Sequence, residues 1–140
     1  MEQDFSRKMS IAVREDMVSW QLTNTIGHIA AVLGNKLKDN FDTGEYFSSK
    51  EGIQLRRNSQ YAIVALKASS SELKNLIQKL QEGNFLWVAY TQDMMDLIDD
   101  SELVGVIGDK TLDELDILGV GIFASKDDLK TLTGKLSLWK

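Results

Sequence analysis

The chain has 140 residues, of which 43% are hydrophobic, and this supports one domain with a sizeable core. It contains no cysteine and one histidine, which excludes disulfides, thiolate metal sites and multi-histidine metal sites. Its formal net charge of −5 is opposite in sign to the basic excess typical of nucleic-acid binders. We expect residues 1–140 to form a single domain.

Several kinds of sequence signal are missing. The N-terminal residues are polar and charged, unlike a signal peptide, and no apolar run approaches the roughly 18 residues of a membrane span. Neither a phosphate-binding P-loop nor a dinucleotide fingerprint is present. The sequence therefore predicts a soluble, cytoplasmic protein that needs no cofactor or metal and does not bind a membrane.

The first part of the chain predicts a strand, a long helix and an irregular excursion. Met9–Val13 is a short apolar run bounded by charged residues, which is typical of a buried strand. Ser19 is the predicted N-cap of the helix, and residues 40–59 predict an excursion with a short hairpin. The apolar face of the helix recurs every three or four positions, at Leu22, Ile26, Ile29, Leu33 and Leu37.

The middle of the chain predicts a strand, a helix and a second strand. Tyr61–Leu66 and Phe85–Tyr90 are continuous apolar runs of strand length. Between them Ser69 and Glu72 match a capping box, which predicts the start of a helix. One face of that helix would carry Leu73, Leu76, Ile77 and Leu80.

The last part of the chain predicts two more strands and a helix. Leu103–Ile107 and Leu115–Ala124 are apolar runs, and Gly119 and Gly121 in the second run indicate a close backbone approach. Ser125 is the predicted N-cap of a final helix. Because apolar strands alternate with helices, we predict an α/β fold in which both faces of the sheet are covered.

Motifs at both ends of the chain resemble those of a known family. Residues 11–16 read I-A-V-R-E-D, the next helix carries Asn24 and His28, and residues 129–138 read L-K-T-L-T-G-K-L-S-L. Together they resemble peptidyl-tRNA hydrolases of the archaeal and eukaryotic type, and more closely an uncharacterised bacterial branch with an N-x-x-x-H pattern. The resemblance implies a peptidyl-tRNA-hydrolase-II-like α/β/α sandwich of three layers with a mixed sheet of about four strands.

The resemblance also implies a cleft and a set of site residues. It assigns catalytic roles to His28 and Asp93, while Gln21, Asn24, Thr91 and Trp20 would bind the substrate. Gln21, Asn24 and His28 share one helical stripe. Trp20 would form a lid at the start of the helix, and Thr91 follows a buried strand, where ligands of open α/β sheets bind.

The sequence departs from the hydrolase pattern at two positions. Gln21 lies seven residues before His28, where the family carries a lysine that can stabilise an oxyanion. Asp93 matches the family's aspartate only with a two-residue shift. We therefore predict a hydrolase-like domain that has lost the ancestral activity and binds a small molecule or a protein in the cleft. The alternative is an active hydrolase of peptidyl-tRNA or a related ester.

Each site residue also has a purely structural interpretation. His28 could be a hydrogen-bonded residue at a packing edge, and Trp20 could be a core residue. Thr91 could cap a short helix, with Asp93 interacting favourably with the helix N-terminus.

Acidic residues concentrate in residues 91–116, which hold nine acidic residues and one basic residue, Lys110, for a formal charge of −8. The remainder of the chain is +3. The segment is either a solvated acidic face or a surface for a metal or a cationic partner. It disfavours tRNA as a substrate because it would repel a phosphate backbone. A homodimer is a further expectation, with Trp139 as a contact.

Overall fold

The computed structural model describes residues 2–140. Its strands are β1 (Arg7–Arg14), β2 (Tyr46–Ser48), β3 (Gln54–Arg56), β4 (Ala62–Ala68), β5 (Leu86–Thr91) and β6 (Ile117–Ser125). Its α-helices are α1 (Ser19–Leu37), α2 (Ser70–Glu82), α3 (Gln92–Asp96), α4 (Asp100–Gly108) and α5 (Lys126–Thr133). A short 3-10 turn, Lys38–Asn40, follows α1.

Four strands form the central mixed sheet in the order β4-β1-β6-β5. β1 pairs in parallel with β4 and antiparallel with β6, and β5 pairs antiparallel with β6. The outer edge of β4 is partly covered, because the Lys67 N–H donates to the Ser137 carbonyl at 2.8 Å and the Trp139 N–H donates to the Ala65 carbonyl at 2.9 Å. β2 and β3 form the hairpin predicted within residues 40–59.

Hydrophobic residues cover both faces of the sheet. On one face of the sheet, Ile29 and Leu33 of α1 pack against the β1 side chains that point towards this helix, including Met9 and Ile11. On the other face, α2 and α5 pack against Ala12, Leu66 and Ile122. The prediction of a mixed α/β fold with a four-stranded sheet and helices is thus confirmed. Among residues 2–140, no helix has the length and apolar character needed to cross a membrane.

Local sequence signals explain several of these elements. The Ser69 hydroxyl accepts from the Glu72 N–H at 3.2 Å while a Glu72 carboxylate oxygen accepts from the Ser69 N–H at 2.9 Å, which confirms the capping box of α2. Ser125 caps α5 by accepting from the Asp128 N–H. A Cβ atom on Gly119 would lie 2.9 Å from Cγ2 of Thr25, so the predicted close approach is the contact between β6 and α1.

Two predictions about local structure are wrong. Leu103–Ile107 lies within α4 and is not a strand. A short apolar run is compatible with a strand or with a helix. Here Asp99 favours the helix, because its carboxylate accepts a hydrogen bond from the Ser101 N–H at 2.9 Å. Ser19 is the first residue of α1 and not its N-cap; Val18 holds that position without a side-chain hydrogen bond. Flanking apolar contacts fix the start of α1 instead, since Met17 and Leu22 both pack against the α1 side of the core.

Candidate functional site

The single histidine lies on the exposed side of α1 and stacks on a tyrosine of β5. The rings of His28 and Tyr90 have centroids 4.9 Å apart and planes inclined by 11°. Tyr90 is 8% exposed, and its hydroxyl accepts a hydrogen bond from Nδ2 of Asn24 at 3.3 Å. Because Asn24 and His28 are one helical turn apart, Tyr90 holds both side chains at the same place on the surface.

These residues border an open depression along α1. It has a volume of about 590 Å³ and is lined by Trp20, Thr23, Asn24, Gly27, His28 and Ala31. Trp20 is 62% exposed, so it is a surface residue and not part of the core. Gly27 leaves open space where a side chain would stand. The depression therefore offers aromatic and amide side chains to a ligand, and no Asp, Glu, Lys or Arg is among its lining.

Asp93 belongs to a different cluster. Both of its carboxylate oxygens accept hydrogen bonds from Nζ of Lys110, at 3.0 and 2.8 Å. Thr91 is buried and caps α3 by accepting from the Met94 N–H at 3.3 Å, as its structural interpretation predicted. Across residues 2–140, no hydrogen bond or ion pair joins His28 to Asp93 or to another carboxylate.

The carboxyl end of β1 carries an ion-pair network. Arg14 donates to both oxygens of Asp16, at 2.9 and 2.8 Å, and also pairs with Asp116. The hydrogen bonds from Arg14 hold the pKa of Asp16 below its usual value. Since the Gln92 N–H donates to the Asp116 carbonyl at 2.9 Å, the network connects β1 to the start of α3. Arg14 is thus engaged in internal contacts at the sheet edge where we expected a ligand.

A second cavity, of about 560 Å³, lies between the C-terminal half of α1 and the end of the hairpin. Arg56 and Arg57 contribute to its wall. Arg56 donates to both oxygens of Asp42, at 3.0 and 2.7 Å, and Nη1 of the largely buried Arg57 lies 3.6 Å from Oε2 of Glu45. The described residues contain no cluster of three or more side chains suited to holding a metal ion.

The structure brings together three of the six predicted site residues, namely Trp20, Asn24 and His28. Gln21 is half-buried and is not part of the depression's lining, and Thr91 and Asp93 lie at the β5–α3 junction. The sequence interpretation missed Tyr90 and Lys110. Tyr90 ends an apolar strand and carries no polar signal beyond its own hydroxyl, whereas Lys110 is recognisable as the only cation among residues 91–116.

Comparison with known proteins gives one family and one fold. A family model described as a protein of unknown function, DUF2000, matches residues 7–140. A solved structure of a protein of unknown function from Agrobacterium tumefaciens is similar, with a TM-score of 0.86 and 18% sequence identity. The match covers 98% of this chain and 100% of that chain, and it shows a shared fold. None of the curated proteins matches this sequence.

Proposed function

The chain belongs to the DUF2000 family of proteins of unknown function, and we propose that it is a ligand-binding protein without ester-hydrolase activity. Its site is the depression bordered by Trp20, Asn24 and His28. The ligand is a small molecule or a short protein segment with a flat apolar group. The protein descends, on this proposal, from a peptidyl-tRNA-hydrolase-like ancestor, a relation that the sequence motifs support.

The absence of a hydrogen bond or ion pair between His28 and Asp93 among the described residues carries this proposal. A hydrolase that activates water needs a base held within hydrogen-bond reach of that water, and its imidazole is commonly oriented by a carboxylate. Here the His28 ring is positioned by stacking on Tyr90, and the Asp93 oxygens are bound by Lys110. Gln21 supplies no positive charge where the hydrolases have lysine. The groups for acid–base chemistry are thus present but not assembled.

The same geometry suits binding. Trp20 and His28 are eight residues apart on α1, which places them about 12 Å apart along the helix axis. Between them Gly27 leaves room for a flat group to lie on the helix, where it can contact either aromatic ring. Nδ2 of Asn24 donates to the Tyr90 hydroxyl, so Oδ1 of Asn24 can accept a hydrogen bond from a donor group of the ligand.

An ester-release assay on peptidyl-tRNA, run beside an active hydrolase, tests the loss of activity. We expect no release above background from the protein or from His28→Ala and Asp93→Asn variants. Release that requires His28 or Asp93 would establish the alternative function. In that case either residue would position water, with Gln21 and Asn24 holding the carbonyl oxygen.

A fragment screen followed by amide chemical shifts tests the binding site. We expect shifted amides at residues 20–31 and loss of these shifts in Trp20→Ala. Phe47→Ala is a matched control, because Phe47 is a similarly exposed aromatic residue on the hairpin, at 55%. Fragments that bind elsewhere, or that bind Trp20→Ala equally well, would refute the assignment of the site.

A further inference from the structure

Helix α4 is apolar but belongs to neither side of the core. Its apolar side chains are Leu103, Val104, Val106 and Ile107, and none of them is buried. They are absent from both clusters of packed hydrophobic residues, and the main neighbour of α4 is the short helix α3. Val104 is 74% exposed. Folding therefore leaves Val104 in contact with water and Leu103, Val106 and Ile107 only half-buried, which is unfavourable.

The apolar residues of α4 form one stripe. Leu103, Val104 and Ile107 line an open hollow of about 410 Å³ together with Asp100 and Gly108, at the spacing of a single helical face. Ile98, just before the helix, is fully exposed. We refer to Ile98, Leu103, Val104 and Ile107 as the α4 surface. Its size and shape suit one face of another helix.

Carboxylates lie in and beside α4, and one of them, Asp100, lines the hollow itself. Of the nine acidic residues in the segment 91–116, the described ion pairs engage only Asp93 and Asp116. The other seven, which include Asp100, Glu102 and Asp109 in or beside α4, form no described ion pair. Hydrogen bonds from Ser101 lower the pKa of Asp99 at the N-terminus of the helix, so that this carboxylate also stays ionised.

We propose that the α4 surface is a docking site for a basic amphipathic helix of a partner protein. The apolar stripe of such a helix would cover Leu103, Val104 and Ile107, and its lysines and arginines would pair with Asp100 and with other carboxylates of the acidic segment. The charge argues against two other occupants. Anionic membranes and nucleic acids are repelled, and a symmetric contact with a second copy would bring like charges together across the twofold axis.

Fluorescence anisotropy with a labelled synthetic leucine–lysine helix tests the proposal. We expect saturable binding that weakens at least tenfold between about 50 and 500 mM NaCl, and no binding of the matched leucine–glutamate helix. Val104→Asp should weaken binding at least tenfold, although it adds a negative charge that would strengthen purely electrostatic attraction. Asp100→Lys should weaken binding to a similar degree, because Asp100 is the carboxylate that lines the hollow.

Ile53→Asp is the matched control, since Ile53 is an exposed apolar residue beside β3, at 58%. It should bind the peptide within twofold of the parent protein. Because both substituted side chains are exposed, we expect both variants to keep the parent's thermal unfolding profile. Absence of saturable binding, or equal binding by Val104→Asp, would overturn the proposal. Self-association that requires Val104, without peptide binding, would instead assign the surface to a second copy.

Discussion

Nζ of Lys110 donates hydrogen bonds to both carboxylate oxygens of Asp93, at 3.0 and 2.8 Å. The two side chains are 31% and 17% exposed, so the pair is partly withdrawn from water. Lys110 follows α4 and Asp93 lies in α3, and the pair therefore ties the C-terminal end of α4 to α3. This contact indicates that Asp93 positions α4, while its catalytic role stays a prediction.

Lys110→Met should lower the free energy of unfolding by about 1–2 kcal/mol. The substitution leaves the largely buried Asp93 carboxylate without its cation. The expected loss of stability lies between those measured for exposed and for fully buried ion pairs. Chemical denaturation measures the change. Lys79→Met, at an exposed lysine on α2, is the control and should stay within about 0.5 kcal/mol of the parent protein. A double-mutant cycle with Asp93→Asn should recover most of the loss as coupling energy.

Gly121→Ala should destabilise the protein by about 1–3 kcal/mol, because the added Cβ atom would collide with Ile29 and Leu33 of α1. Thermal or chemical unfolding measures this cost. Gly105→Ala is the matched control in α4, where the Cβ atom meets open space. It should be neutral or stabilising by up to about 1 kcal/mol, since alanine favours a helix. Equal costs for the two variants would contradict the close contact between α1 and β6.

Tyr90→Phe should cost about 0.5–1 kcal/mol of stability, because it removes the acceptor of the Asn24 side chain but keeps the ring that stacks on His28. The side-chain amide resonances of Asn24 should shift in the same variant. Tyr61→Phe provides the comparison, since the Tyr61 ring packs edge-on against Phe123 and its contribution lies in the ring. A Tyr90→Phe variant whose Asn24 amide does not move would argue against the hydrogen bond.

The stability of α4 should depend on pH through the ionisation of Asp99. Hydrogen bonds from Ser101 lower the pKa of Asp99 in the folded protein, so its cap stabilises α4 above the ordinary aspartate pKa of about 3.9. This stability is lost as the pH falls through the lower, folded value. Carboxyl titration by NMR should show Ser101→Ala raising the pKa of Asp99 towards its ordinary range. Ser6→Ala should do the same to Asp4 and leave Asp99 unchanged.

Local signals predicted the fold better than the site. Ser69 and Ser125 cap helices through contacts within one turn, and such contacts are visible in the sequence. The partnership of Asp93 with Lys110 spans 17 residues and depends on how α4 folds back, which no spacing rule contains. The position of Tyr90 beneath His28 likewise depends on the packing of α1 across β5 and β6. The apolar run in α4 was ambiguous because it is short, and a short apolar run is compatible with a strand or with a helix.

The position of β1 between β4 and β6 has a consequence for the newly made chain. Ile11 faces Gly121 across the sheet, so β1 meets its antiparallel partner only after 110 further residues. At ribosomal rates of about 5–20 residues per second, this delay is roughly 5–20 s. β5 has no partner in the sheet other than β6. In the central sheet, a nascent chain that stops before β6 therefore holds one parallel strand pair and one unpaired apolar strand, which makes β6 the step that commits the chain to its fold.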